Sequence, residues 1–263
     1  MNIEMILPYI IIFIFGMVFG SFYNVVGYRL PINKSIAYPP SNCPKCNHKL
    51  KFYELIPIFS YIFLKGRCYK CKEKISIIYP VFEFITGLLF LLSYISFGFS
   101  IKFIIAITFI SVLIIITISD IRYYIIPDEV LVIGIILIIF ELLINSFINN
   151  ISILNGVLMP ILSGVLSFGV LYIFKLIGDF VFKKESLGGG DIKLLFLIGL
   201  VLGFDMSIVT IFLASFIALP LSVVGLIKNN TNVLPFGPYL SLSSIIILLT
   251  KLDLNMILNF LSK

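Results

Sequence analysis

Apolar residues occur along this chain in uninterrupted blocks of helix length, a pattern that predicts helices crossing a lipid bilayer. A window of about 19 residues places the blocks at 5–28, 79–97, 102–119, 129–147, 154–178, 192–204, 207–227 and 236–250. The sixth block is short and merges with the seventh unless Gly203-Phe204-Asp205 forms a surface turn, which the charge on Asp205 favours. The expected architecture is therefore an all-α polytopic membrane protein with about eight transmembrane helices. The first block resembles a secretory signal but lacks a basic start and a small-residue cleavage pattern, so it is expected to be retained. Gly16 with Gly20, and Gly199 with Gly203, form G-x-x-x-G steps suited to close helix packing in lipid, although membrane helices are glycine-rich in any case.

Composition agrees with the pattern. The chain is 60% hydrophobic and 12% charged, with mean hydropathy +1.15, against about 25% charged in soluble domains. A net charge of +6 raises the question of nucleic acid. The cations do not form a phosphate-tracking stripe, so lipid, not nucleic acid, is the expected surrounding. Ten of the nineteen Lys and Arg residues lie between Arg29 and Lys74, against two acids, Glu54 and Glu73. By the positive-inside rule this segment is cytoplasmic. The expected division is a first transmembrane helix at 1–28, a cytoplasmic domain at 29–78 and a transmembrane catalytic domain at 79–263. Eight spans then put the connections at Asp120–Pro127, Asp179–Asp191 and Lys228–Pro235 on the cytoplasmic side.

That topology brings two acids to one membrane face. Asp191 follows Gly188-Gly189-Gly190 and opens an apolar run, while Asp120 closes another. A carboxylate at the edge of hydrocarbon is costly unless wetted, paired or used. Two carboxylates sharing a site do not ionise together easily, so the anion can activate water while the acid protonates a carbonyl. The glycines would let a substrate backbone approach Asp191. A phosphate-binding loop is disfavoured, because neither G-K-[ST] nor a preceding strand is present, and a plain helix start is the remaining alternative. Asp128 follows Pro127 and suits helix capping as well as catalysis, whereas Asp120, at a helix end that disfavours negative charge, is the better candidate. Arg122 is a possible ion-pair partner for either acid.

All four cysteines fall in the basic segment, as Cys43-Pro-Lys-Cys46 and Cys68-Tyr-Lys-Cys71, twenty-one residues apart. This spacing resembles a structural zinc site of four thiolates, with disulfides or a redox pair as alternatives. A segment this small has little core of its own, so a metal would act as a staple. His48 is expected to be a solvated loop residue and not a ligand.

Taken in order, the motifs resemble the type IV prepilin peptidases, the prepilin leader peptidase/N-methyltransferases of the GxGD-type intramembrane aspartic proteases. Gly20-Ser21-Phe22-Tyr23-Asn24-Val25-Val26-Gly27-Tyr28-Arg29-Leu30-Pro31 is similar to the family's opening signature. The cysteine knuckles follow, then Tyr79-Pro80 with Glu83, Asp120 with Pro127-Asp128, Gly188-Gly189-Gly190-Asp191, and Pro235-Phe236-Gly237-Pro238. Ile78 stands where Arg is common, and Leu187 where Met is common. The resemblance implies cleavage of the basic leader of prepilins and pseudopilins at the cytoplasmic face of the bacterial cell membrane, with Asp120 and Asp191 as the catalytic pair. It also implies methylation of the new N-terminus with S-adenosylmethionine as donor, an activity associated with the cysteine-bearing segment. Glu83, Asp128, Asp179 and Glu185 are candidate contacts for the leader, each equally readable as a local ion-pair or helix-end group. A membrane transporter and a noncatalytic pilus or secretion assembly factor are the alternatives.

Overall fold

The computed structural model describes residues 3–183, 187–229 and 235–261, and its long helices lie on the predicted apolar blocks with ends displaced by a few residues. Among the described residues, extended pairing is limited to two isolated bridges, Asn42 with Lys49 and Arg67 with Lys74. The chain divides into two units, Met1–Gly98 and Phe99–Lys263.

The first unit contains α1 (Ile3–Arg29), the short α2 (Phe59–Phe63) and α3 (Ile78–Phe97). Helices α1 and α3 form an antiparallel pair whose approach depends on absent side chains. A Cβ at Gly16 would lie 2.8 Å from the Gly87 Cα, and one at Gly20 would lie 2.9 Å from the Glu83 Cα. The first G-x-x-x-G step is thus a packing surface. Asn24 adds a polar tie, its Nδ2 donating to the Tyr79 carbonyl at 3.2 Å.

The second unit contains α4 (Ile101–Tyr123), α5 (Asp128–Ile148), a π-helical turn (Leu154–Leu158) leading into α6 (Met159–Phe182), α7 (Gly189–Leu202), α8 (Phe204–Asn229), α9 (Gly237–Thr250) and α10 (Leu254–Leu261). Ser100 caps α4, its side chain accepting the Phe103 N–H. Helix α7 runs through the core, burying Leu194, Leu195, Leu197 and Ile198, and packs on α5, α6, α8 and α9. The second glycine step behaves differently from the first. Gly199 presses on Ser163 and Ser167 of α6, but Gly203 meets nothing and takes φ +85°, so it stops α7 and separates it from α8.

Among the described residues, five helices have the length and apolarity to cross a membrane: Ile6–Ile32, Ile78–Phe97, Ile101–Tyr123, Asp128–Ile148 and Leu154–Phe182. The expected count of eight is not reached at full length. Helices α7 and α9 have 14 residues each, a rise of about 21 Å against roughly 30 Å of hydrocarbon. In α8 the described apolar stretch is Phe204–Pro220.

Candidate active site and metal-binding module

Asp120 lies in the last turn of α4 and is buried. Its Oδ2 accepts the Gly237 N–H at 3.0 Å. Gly237 opens α9, with Pro238 in the same first turn, where a missing N–H costs no helical bond. The Gly237 amide is one of the N–H groups that a helix start leaves without an internal partner, and Asp120 takes it. A Cβ at Gly237 would stand 2.7 Å from that carboxylate oxygen, so the residue must be glycine for this contact to form as it does.

Beyond Asp120 the chain turns sharply. Tyr124 adopts φ 56°, and its N–H closes on the Asp120 carbonyl at 2.9 Å, while the Ser119 hydroxyl donates to the Ile125 carbonyl. The turn delivers Ile126 between two helix starts. Its Cβ is 2.8 Å from where a Gly190 Cβ would be, and its Cδ1 is 3.4 Å from the equivalent point on Gly237.

Asp191 is in the first turn of α7, behind the N-cap Gly188, at the positive end of the helix dipole. Its Oδ2 folds back to 3.1 Å from the place of a Gly188 Cβ. Ile126 packs both against Gly190, the neighbour of Asp191, and against Gly237, whose amide Asp120 holds, so the end of α4 and the beginnings of α7 and α9 bring the two acids to one region.

The three glycines differ in their surroundings. Gly190 is filled by Ile126, Gly188 faces only Asp191, and Gly189 has open space where a side chain would be. None takes a left-handed φ, so their value here is the space they leave and not conformational freedom. Asp128 opens α5, and its carboxylate pairs with Lys193 of α7 at 2.7 Å, so Lys193 and not Arg122 is its ion-pair partner. Asp179 is half-buried on α6, and Glu185 lies outside the described residues.

In the other unit, Glu83 is buried on α3. It accepts the Ile58 N–H at 2.7 Å and a hydrogen bond from the Ser21 side chain. Ser21, Lys193 and Gly237 lie in sequence motifs that resemble the family's but were given no contact of their own there, whereas Ile58 and Ile126 carried no signal as site-forming residues.

The basic segment of the first unit folds into two knuckles of the same design. In each, the N–H of the first cysteine bonds a carbonyl five residues on, Cys43 to His48 at 2.9 Å and Cys68 to Glu73 at 2.8 Å. In each, the residue after the second cysteine takes a left-handed φ, 55° at Asn47 and 61° at Lys72, and its N–H returns to the first cysteine's carbonyl. The four sulfurs lie within 4.8 Å of one another. Cys43 and Cys71 are 3.7 Å apart and Cys46 and Cys68 3.9 Å. A tetrahedron of thiolates at 2.3 Å from zinc has edges of about 3.8 Å, so the cluster fits that ion. The cysteines are free thiols. The amides of Cys46 and Lys45 lower the Cys43 thiol to about 6. His48 is less solvated than expected: its Nε2 meets the buried Glu54 at 3.1 Å.

The sequence pattern of the bacterial peptidase A24 N-terminal domain matches residues 14–97, and that of the type IV leader peptidase family matches residues 107–223. A prepilin leader peptidase/N-methyltransferase from Bacillus subtilis is 36% identical over 239 residues, covering 90% of this chain and 92% of the relative. The chain belongs to the type IV leader peptidase family. Proteins with the same description from Pectobacterium carotovorum, 32% identical over 88% of this chain and 89% of the relative, and Neisseria gonorrhoeae, 30% identical over 89% and 87%, share the resemblance. No solved structure matches the chain. With five helices of membrane-crossing length, this family member is a multi-pass bacterial membrane protein.

Proposed function

We propose that this protein is an aspartic endopeptidase that removes the leader of prepilins and pseudopilins, and that Asp120 and Asp191 carry the reaction. The observation that carries this reading is the convergence of both acids on one region, with the Gly237 amide on Asp120, in a chain whose relatives are prepilin leader peptidases. The two carboxylates share a proton. The ionised one deprotonates the attacking water while the protonated one donates to the scissile carbonyl; the first then passes its proton to the amide nitrogen, the second recovers its own from the intermediate's hydroxyl, and the C–N bond breaks to release the new N-terminal amine. Gly188 and Gly189 leave room for the substrate backbone. Asp128 meets the basic leader by exchanging Lys193 for a leader cation, whereas Glu83 acts within the protein.

The division is a first transmembrane helix at 1–28, a zinc domain at 29–78 and a transmembrane peptidase domain at 79–263, with the site open to the cytoplasm of a bacterial cell. Helices α1 and α3 to α9 all cross the bilayer, which makes eight spans. Because α7 and α9 rise about 21 Å in roughly 30 Å of hydrocarbon, their N-terminal ends lie below the membrane surface and leave a recess through which water enters. Cys43, Cys46, Cys68 and Cys71 hold a zinc ion whose closed shell offers no open position, so its role is structural. The N-methyltransferase activity in the relatives' names is assigned to the new amine, with S-adenosylmethionine supplying the methyl group. A proton-coupled transporter would place its acids near the bilayer midplane, whereas both acids here lie in terminal turns of their helices.

The test is cleavage of a prepilin by purified enzyme in detergent. Asp120→Asn and Asp191→Asn are each expected to lose roughly a hundred- to ten-thousand-fold in rate with helix content unchanged. Cleavage at the wild-type rate in both would sink the assignment.

A further inference from the structure

We propose that the exposed apolar face of α2, with the groove beside it, is seated in the membrane interface and holds the acyl chains of anionic lipid. The inference rests on the reading that α3 crosses a bilayer. It does not depend on the peptidase assignment.

Phe59, Ile62 and Phe63 recur at the spacing of one helical face. They are 53%, 64% and 81% exposed, on a helix of only five residues. Three adjacent large apolar side chains facing water mark a binding surface rather than ordinary scatter. Beside them runs a groove with Ile58, Tyr61 and Ile62 on one wall and Pro80, Val81 and Phe84 on the other. The second wall is the first two turns of α3, a helix of membrane-crossing length. Lipid that covers Val81 and Phe84 therefore reaches the groove without a break.

Charge selects the kind of lipid. Lys65, Arg67, Lys70, Lys72 and Lys74 lie between α2 and the start of α3, all exposed. The one acid among them, Glu73, is paired with Lys45. A cationic cluster immediately outside a membrane helix attracts anionic headgroups.

The approach of α2 to α3 is built in. Ile58 takes φ 62° and ψ −51°, and the next N–H, that of Phe59, bonds back to the Pro57 carbonyl at 2.6 Å. This tight three-residue turn is rare, and strained for a β-branched residue. It persists because the Ile58 N–H is held by the buried Glu83 carboxylate of α3 at 2.7 Å. The turn sets α2 alongside the first turns of the membrane helix.

The chain contains no tryptophan, so a single introduced one reports its own surroundings. Phe63→Trp and, halfway along α3, Leu88→Trp would be prepared in full-length protein reconstituted in phosphatidylcholine vesicles with and without phosphatidylglycerol. Emission would be measured with acyl-chain-brominated lipid and with iodide in the buffer. Phe63→Trp is expected to lose roughly half its emission or more to brominated lipid, as for a side chain at the headgroup–acyl boundary. It should resist iodide, and the quenching should be stronger with phosphatidylglycerol. Quenching at Leu88→Trp alone would overturn the proposal while leaving the membrane helix standing, and quenching at neither would overturn that helix as well. Equal quenching in both lipids would remove the preference for anionic lipid. Protection of Phe63→Trp from iodide only after a prepilin is added would give the face to substrate and overturn the proposal.

Discussion

Asp120 depends on a group 117 positions away, since the amide it accepts belongs to Gly237. Gly237→Ala would place a methyl 2.7 Å from Oδ2 and force the carboxylate to move. A displacement approaching an ångström at a reacting group costs roughly a hundredfold in rate, and a loss of that size in prepilin cleavage is the expected outcome. Gly189→Ala meets open space, so the fold should be intact; a raised KM for prepilin would mark Gly189 as lining the substrate path. Both acids were legible in the sequence because a charge beside a long apolar run is conspicuous. Gly188 to Gly190 were equally visible, yet their individual surroundings were not. Periodicity does not reveal that Ile126 fills the space at Gly190. The pairing of Asp128 with Lys193 across 65 positions was invisible for the same reason.

Helix existence was readable from apolar block length, and helix ends less so. Gly203 looked like the second half of a packing step, but its positive φ makes it a stop. Local composition is the same in both cases, and only the neighbouring helix decides between them. The knuckles show the opposite balance. Their cysteine spacing announced a cluster that could hold a metal, while the shared hydrogen-bond pattern of the two halves needed coordinates. Each half supplies two sulfurs, so neither completes a tetrahedron alone. Chelation is therefore expected to unfold both halves together. Limited proteolysis of purified protein should then cut within 29–78 but spare the long helices. One zinc ion per chain by elemental analysis, lost on chelation, would accompany the change. Survival of the segment against protease after complete metal removal would contradict the staple role.

At the scale of the molecule, α7 and α9 are shorter than α4, α5, α6 and α8 of the same unit, and both begin beside the acids. If their starts are recessed, a thicker bilayer should bury the site further from water. Prepilin cleavage in vesicles is then expected to slow as acyl chains lengthen beyond roughly 30 Å of hydrocarbon, and a rate independent of thickness would count against the recess. Five described helices reach membrane-crossing length, while α7 and α9 are shorter than that, because a hydropathy window registers apolar content and cannot see where a cap or a glycine stop cuts a helix short. The bond from Gly237 to Asp120 also bears on when the enzyme becomes competent. During synthesis, both acids leave the ribosome well before the start of α9. A nascent chain carrying α4 and α7 already has its two carboxylates but lacks the amide that orients one of them. Activity would then switch on only as α9 inserts, which protects neighbouring nascent membrane proteins from a half-built protease. A chain ending at Asn229 should accordingly insert in the membrane and cleave nothing, and detectable prepilin processing by that truncation would show that the dyad assembles without α9.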